Sequence, residues 1–188
     1  MNELDNKYRK FLGLSEVLPS WTRIEACNEV FYHDGKSLLK KIRNDKDGYF
    51  ECDLNEPLPE KFNRTVIEKF KINIYFLYSC PHIKIGNIVS QRTYIEDVTD
   101  NWEHWLDAWM NDTTETDLAE LEEFSKQTKS RQKYSEGDFF AFKLSRRKWG
   151  FGRIIYDIHK RKKSKEFVAG KNYGLSNLMG HPLIVQVY

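Results

Sequence analysis

The sequence predicts an α+β protein: mostly antiparallel β-sheet or a small barrel, with an acidic helical segment between two β-rich parts. Three observations carry this. Short runs with apolar residues at every second position recur between turn residues, as half-buried strands do. The stretch Tyr134 to Ile155, YSEGDFFAFKLSRRKWGFGRII, reads as a complete hairpin. Between Arg92 and Lys126 the spacing becomes helical, with no Lys or Arg and eleven acids from Glu96 to Glu123.

The elements follow in order. Leu4, Tyr8, Phe11 and Leu12 fall at helical spacing within a short helix from Asn2 to Leu14, and Gly13 can end it. Trp21 to Cys27 and Val30 to His33 read as extended, and His33-Asp34-Gly35 as a turn. Ser37 to Ile42 follows, then a turn at Asn44 to Gly48. Tyr49 to Leu54 alternates, with Phe50, Cys52 and Leu54 on one face. After a loop with Pro57 and Pro59, Val66 to Tyr78 reads as a long central strand or a pair of strands, ended by Cys80-Pro81. Ile83 to Val89 and Thr93 to Val98 are further strands.

In the acidic stretch, Trp102, Trp105 and Trp109 with Leu106 form one stripe of an amphipathic helix, and Asp100 with Glu103 resembles a capping box. Such a stripe serves either as core or as a binding hot spot. Asn111 to Thr114 breaks the helix. Thr114 can cap a second helix through Lys126, with Leu118, Leu121 and Phe124 inward. Ser125 to Lys133 is polar and basic and marks a boundary, giving parts 1–127 and 133–188.

In the hairpin, Gly137-Asp138 is a turn, Asp138 to Leu144 alternates, Ser145 to Lys148 links, and Trp149 to Tyr156 is the second strand. Gly150 and Gly152 share one face. They mark a sharp bend such as a barrel corner, or a backbone on which a ligand's ring lies. Lys160 to Lys165 reads as a basic loop, Phe167 to Ala169 as a short strand, Asn172 to Gly180 as a loop or helical turn, and Leu183 to Tyr188 as a strand. A chain that stops on a strand either pairs that strand internally or continues beyond it, and the second is the expectation.

Composition narrows the function. The chain of 188 residues is 40% apolar and 14% aromatic, which suits a globular core. No apolar run approaches the ~20 residues that span a bilayer, and the charged N-terminus has no signal-peptide core, so the expected location is cytoplasmic without a membrane partner. Cys27, Cys52 and Cys80 are single and widely spaced, and read as reduced core residues. The net charge of +2 conceals an asymmetry: residues 131–188 carry 13 Lys/Arg against 4 Asp/Glu, residues 1–130 carry 17 against 24.

No phosphate loop, dinucleotide fingerprint, zinc-protease or serine-hydrolase motif occurs, and His33, His82, His104, His159 and His181 lack metal-ligand spacing. No metal, cofactor or catalytic residue is expected. Asp34, Glu51, Asp53 and Asp138 lie near turns or strand ends, where two carboxylates could converge. Two features suit binding. One is the acidic segment, with Glu103, Asp107, Asp112, Glu115, Asp117 and Glu120 as contacts. The other is a basic surface of Lys160, Arg161, Lys162 and Lys163, with Arg146, Arg147 and Lys148 across the hairpin and Trp149 and Phe151 nearby. That pattern suits phosphates and bases of nucleic acid.

The hairpin resembles immunity protein family 26 of bacterial polymorphic toxin systems. Gly137, Asp138, Phe140, Ala141, Leu144, Gly150, Phe151, Gly152, Arg153 and Ile154 carry the resemblance, and His181-Pro182-Leu183-Ile184-Val185 is similar to the family's next strand. The likeness covers about residues 133–188; the family domain continues further, so this chain departs from it by stopping early. It implies a non-catalytic protein that binds and neutralises a cognate toxin in the cytoplasm. Many such toxins are nucleases with basic clefts, which the acidic segment complements. The alternative is a nucleic-acid-binding β-barrel module using the basic residues.

Overall fold

The computed structural model describes residues 3–98, 101–130, 132–164 and 182–188, of Lys162 the backbone alone. The expected strand at Phe167 to Ala169 and loop at Asn172 to Gly180 lie outside them, as do Asp100, Lys165 and His181. The chain divides into two compact units, Met1–Ser130 and Arg131–Tyr188. The boundary coincides with the change in charge sign.

Unit 1 is a seven-stranded antiparallel meander in sequence order: β1 (Thr22–Ala26), β2 (Glu29–His33), β3 (Ser37–Asp45), β4 (Gly48–Pro57), β5 (Ile72–Ser79), β6 (His82–Asn87) and β7 (Arg92–Asp97). Its helices are α1 (Asn6–Arg9), which runs into one 3-10 turn at Lys10–Leu12, then α2 (Arg64–Ile67), α3 (Trp102–Asp112) and α4 (Glu115–Lys126). Gly13, left-handed at φ 74°, ends the first pair as its missing Cβ permits. No helix among the described residues is long and apolar enough to cross a membrane.

The sheet is covered on both faces. On one, Ile42, Tyr49, Ile74, Phe76, Ile83 and Ile85 pack with Leu4, Leu12 and the buried residues of α3. On the other, Phe31, Leu38, Cys52 and Leu54 pack under Ile67, Leu58, Phe62 and Phe70. Strand β4 is central in the strand order, so its alternation hides no solvent side. Phe50, Cys52 and Leu54 face one way as the spacing predicts, while Tyr49 and Glu51, facing the other, are fully buried.

Three expectations are corrected in this unit. Val66 is not in a strand: Asn63 accepts a hydrogen bond from the Val66 amide at 3.1 Å and caps α2, so the extended run begins only at Ile72. Cys27 and Cys80 are exposed, and only Cys52 is core. Cys27 and Asn28 form the two-residue turn from β1 to β2 with φ values of 54° and 63°, the geometry that matches strand twist in tight hairpins. The cap of α3 is Asn101, which accepts from the Glu103 amide at 2.9 Å.

Unit 2 is a three-stranded sheet in the order β10-β9-β8, with β8 at Phe139–Lys143, β9 at Trp149–Asp157 and β10 at Leu183–Val187, followed by α5 (Ile158–Lys163) after β9 in the chain. The closing strand β10 pairs with β9. Among the described residues neither sheet closes on itself, so the barrel alternative is not realised there. The glycines therefore do not turn a barrel corner. Phe142 lies opposite Gly150 and Phe140 opposite Gly152, and a Cβ on either glycine would sit 2.5 Å from the facing ring. The ring on this backbone belongs to the chain itself, not to a ligand. Gly152→Ala also brings the new methyl within 2.9 Å of the Gln186 carbonyl. The overpacking is expected to cost about 1–3 kcal/mol, read as faster hydrogen exchange of β9 and β10 amides.

The expected basic loop is helical. Ile158, buried at 5%, anchors α5, and the Asp157 carboxylate accepts from the Lys160 amide at 3.0 Å at its start. The charged sequence carries too few apolar positions to reveal this period.

Candidate functional site

The acidic segment is built from the inside out. Trp102 stacks on Tyr49 and Tyr78 at 5.5 Å each and on Phe76 at 6.0 Å. The Trp109 indole N–H donates to the Phe11 carbonyl at 2.6 Å, and that of Trp105 to Glu96 at 2.9 Å. The tryptophan stripe is thus core, with each of these two indole N–H groups satisfied. On α4, Leu118, Leu121 and Phe124 are half-buried. Buried Asn87 of β6 donates through its side chain to the Phe124 carbonyl at 2.6 Å and the Gln127 carbonyl at 3.2 Å. It thereby satisfies acceptors that a helix C-terminus leaves open.

With the apolar stripe turned inward, Glu103, Asp107, Asp112, Glu115 and Glu120 are exposed. Asp107 accepts from the Tyr8 hydroxyl at 2.6 Å, which fixes its carboxylate while leaving it at the surface. Asp117 does not join them. It is buried at 7% and closes a capping box with Thr114, accepting from the Thr114 amide at 2.9 Å. Its carboxylate caps the start of α4.

The carboxylates flagged near turns have structural partners. Asp34 accepts from the Lys36 and Ser37 amides, and Asp138 from the Ser135 amide. Glu51 and Asp53 do converge, but on Lys40. The Lys40 ammonium is fully buried, 2.8 Å from Glu51 and 2.6 Å from Asp53. Arg9, from α1, donates to Glu51 at 2.7 Å, and the Tyr49 hydroxyl donates to it as well. The register of β3 shifts against both neighbours between Leu38 and Lys40. That shift lets Leu38 enter one core while Lys40 enters the other. Asp53 also receives the Ser15 amide at 2.7 Å. The network ties the N-terminal segment to the sheet.

Its electrostatics follow from the charges. For Glu51, burial alone raises the pKa, but Lys40 and Arg9 overcome it and hold the carboxyl below the usual range. Burial pushes the Tyr49 hydroxyl up, helped by Glu51, and pushes the Cys52 thiol to about 12, so that thiol is not a nucleophile near neutrality. Arg9 and Lys40 escaped sequence reasoning. The available signal was Lys40 two residues before inward Ile42, in a slot that otherwise takes an apolar residue. Among the described residues, no group of three or more His, Cys, Asp or Glu side chains is arranged to hold a metal ion.

In unit 2 the basic residues do not form one surface. Arg146, Arg147 and Lys148 lie in the β8–β9 link and the α5 residues follow Asp157, so the two clusters sit at opposite ends of nine-residue β9. Such a strand is about 26 Å long. Lys160 pairs with Asp157 at 3.8 Å and lies over the Tyr134 ring. Arg161 pairs with Glu136 at 2.7 Å, which holds the Glu136 carboxyl at about 2. Arg147, Lys148 and Lys163 are exposed, and Arg146 is half-buried. Comparison of the chain with family models, with curated proteins and with solved structures found no match.

Proposed function

We propose that this chain is a non-catalytic immunity protein that binds and neutralises a cognate protein toxin, with α3 and α4 of unit 1 as the toxin-facing surface. The observation that carries the reading is the exposed single-sign set Glu103, Asp107, Asp112, Glu115 and Glu120 on two helices, of which α3 is anchored in the core by its tryptophans. The hairpin's resemblance to immunity protein family 26 supports the same reading. Exposed carboxylates on a stretch whose sequence holds no Lys or Arg complement a basic nuclease cleft and steer fast association. A pre-packed base keeps the ordering cost of binding low. The cytoplasm of the toxin-producing cell is where such a protein would act.

The test first looks for a toxin gene immediately upstream of this chain's gene, or captures a toxin from the producing strain, and uses that protein. Reversing all five acids to Lys is expected to weaken binding by at least about 100-fold at low salt, and to remove most of the salt dependence of the association rate. Titration calorimetry and stopped-flow association read both. Unchanged affinity in the folded variant sinks the acidic-face reading.

A further inference from the structure

The three-stranded sheet of unit 2 breaks the usual alternation of a sheet with one solvent side. Phe140, Phe142 and Ile154 share one face and are half-buried or buried. The opposite face is apolar too. On it Lys143 stands opposite Trp149, and Phe139 opposite Arg153. Phe151 lies on the same face between them, and Tyr188, whose amide donates to the Phe151 carbonyl, stacks with Phe139 at 6.3 Å. Phe139, Trp149, Phe151 and Tyr188 are 69%, 51%, 57% and 65% exposed. Four large rings this exposed depart from the polar character usual of an outward sheet face.

The charges beside those rings select the occupant. Lys143 lies 5.2 Å from the centre of the Trp149 ring, and Arg153 lies 5.5 Å from that of Phe139. The basic link at Arg146 to Lys148 stands at one end of β9 and α5 at the other, in a unit whose sequence carries 13 cations against 4 acids. A purely apolar protein surface offers those cations no acceptor beyond the backbone carbonyls of Arg146 and Gly137 that they already meet. A polyanion with flat, stackable groups uses both, with phosphates on the cations and bases on the rings. A duplex keeps its bases stacked inside, whereas a single strand presents them.

From this juxtaposition we infer that the outer face of the three-stranded sheet binds single-stranded nucleic acid, with Phe139, Trp149, Phe151 and Tyr188 as stacking platform and Lys143 and Arg153 beside the backbone. The site lies in unit 2, so it stands or falls apart from the toxin-binding surface on unit 1. Its core set differs from the basic clusters, which flank it and add electrostatic reach.

Fluorescence anisotropy of the full chain with mixed-sequence RNA and DNA single strands of about 12 nucleotides tests it. The expected result is binding that weakens linearly in log salt, and a flatter slope for Arg147→Glu with Lys148→Glu. Phe151→Ala and Trp149→Ala are each expected to weaken binding roughly 5- to 150-fold. Phe151→Leu, which keeps apolar bulk but cannot stack, is expected to lose affinity similarly, and it decides the matter if the alanine variant does not fold. Three results overturn the inference: no salt-dependent binding, equal affinity for duplex, or ring variants that bind as the parent does. A fourth is a dimer in sedimentation equilibrium that the same ring variants dissociate, which would make a second copy of this chain the occupant.

Discussion

Replacing Glu51 by alanine is expected to destabilise unit 1 by about 3–5 kcal/mol, the cost of stripping one partner from a buried ion pair. A domain is stable by only about 5–15 kcal/mol, so the change consumes much of the total. The reason is local. The Glu51 carboxylate accepts from Arg9, Lys40 and Tyr49, and its side chain is fully buried. Without it Lys40 keeps only Asp53 of its two carboxylate partners. Arg9, buried at 4%, keeps the Asn6 side chain at 2.8 Å but no carboxylate. Urea unfolding followed by tryptophan emission reads the loss as a lower midpoint at similar slope. The triple replacement of Arg9, Lys40 and Glu51 by methionine is expected to recover most of the loss, because it removes the charges together. A midpoint unmoved in Glu51→Ala would show that the pairs contribute nothing.

The same group sets an acid limit. Its folded pKa is depressed below 4.5, with Lys40 and Arg9 outweighing burial. The stability it contributes is therefore complete above its unfolded value and is lost as pH falls through the folded value. Unit 1 is expected to lose stability progressively below about pH 4, and Glu51→Gln to flatten that part of the profile.

Trp102→Ala is expected to have an effect of similar size, about 3–5 kcal/mol, through the cavity left by a large buried ring. Trp102 is 6% exposed and stacks against rings from two strands: Tyr49 of β4, and Phe76 and Tyr78 of β5. It therefore fastens α3, and with it Glu103 and Asp107, to the middle of the sheet. Trp102→Phe should restore part of the loss. Binding to a toxin should weaken in Trp102→Ala through disorder of α3, with its salt dependence intact, whereas the charge reversals remove that dependence. The contrast separates a support from a contact.

Much of this architecture is readable along the chain, for reasons particular to each element. Thr114 and Asp117 stand at capping spacing, the tryptophans at helical spacing, and Phe140 and Phe142 two apart before a polar link, all of them local patterns. Two of the misreadings came from alternation alone. Alternation from Val66 to Tyr78 ignored the Asn63 cap, and alternation in β4 could not tell that both its faces are covered. At the candidate site, the sequence marks the acids but cannot separate exposed Glu115 from buried Asp117 two residues on.

By itself, then, the sequence determined most of the strands, the acidic helices, the turn at Asp34-Gly35, the hairpin, and the opposite charge of the two units, because these depend on residues within a few positions of one another. Only the tertiary structure decided which charges are buried and which rings are bare. Lys40 meets Glu51 and Asp53, and Arg9 meets Glu51, across 11, 13 and 42 residues, through strand register and the shift at Leu38 to Lys40. Phe140 covers a glycine while Phe139 faces outward, since adjacent residues in a strand point to opposite sides and register alone chooses what each side meets.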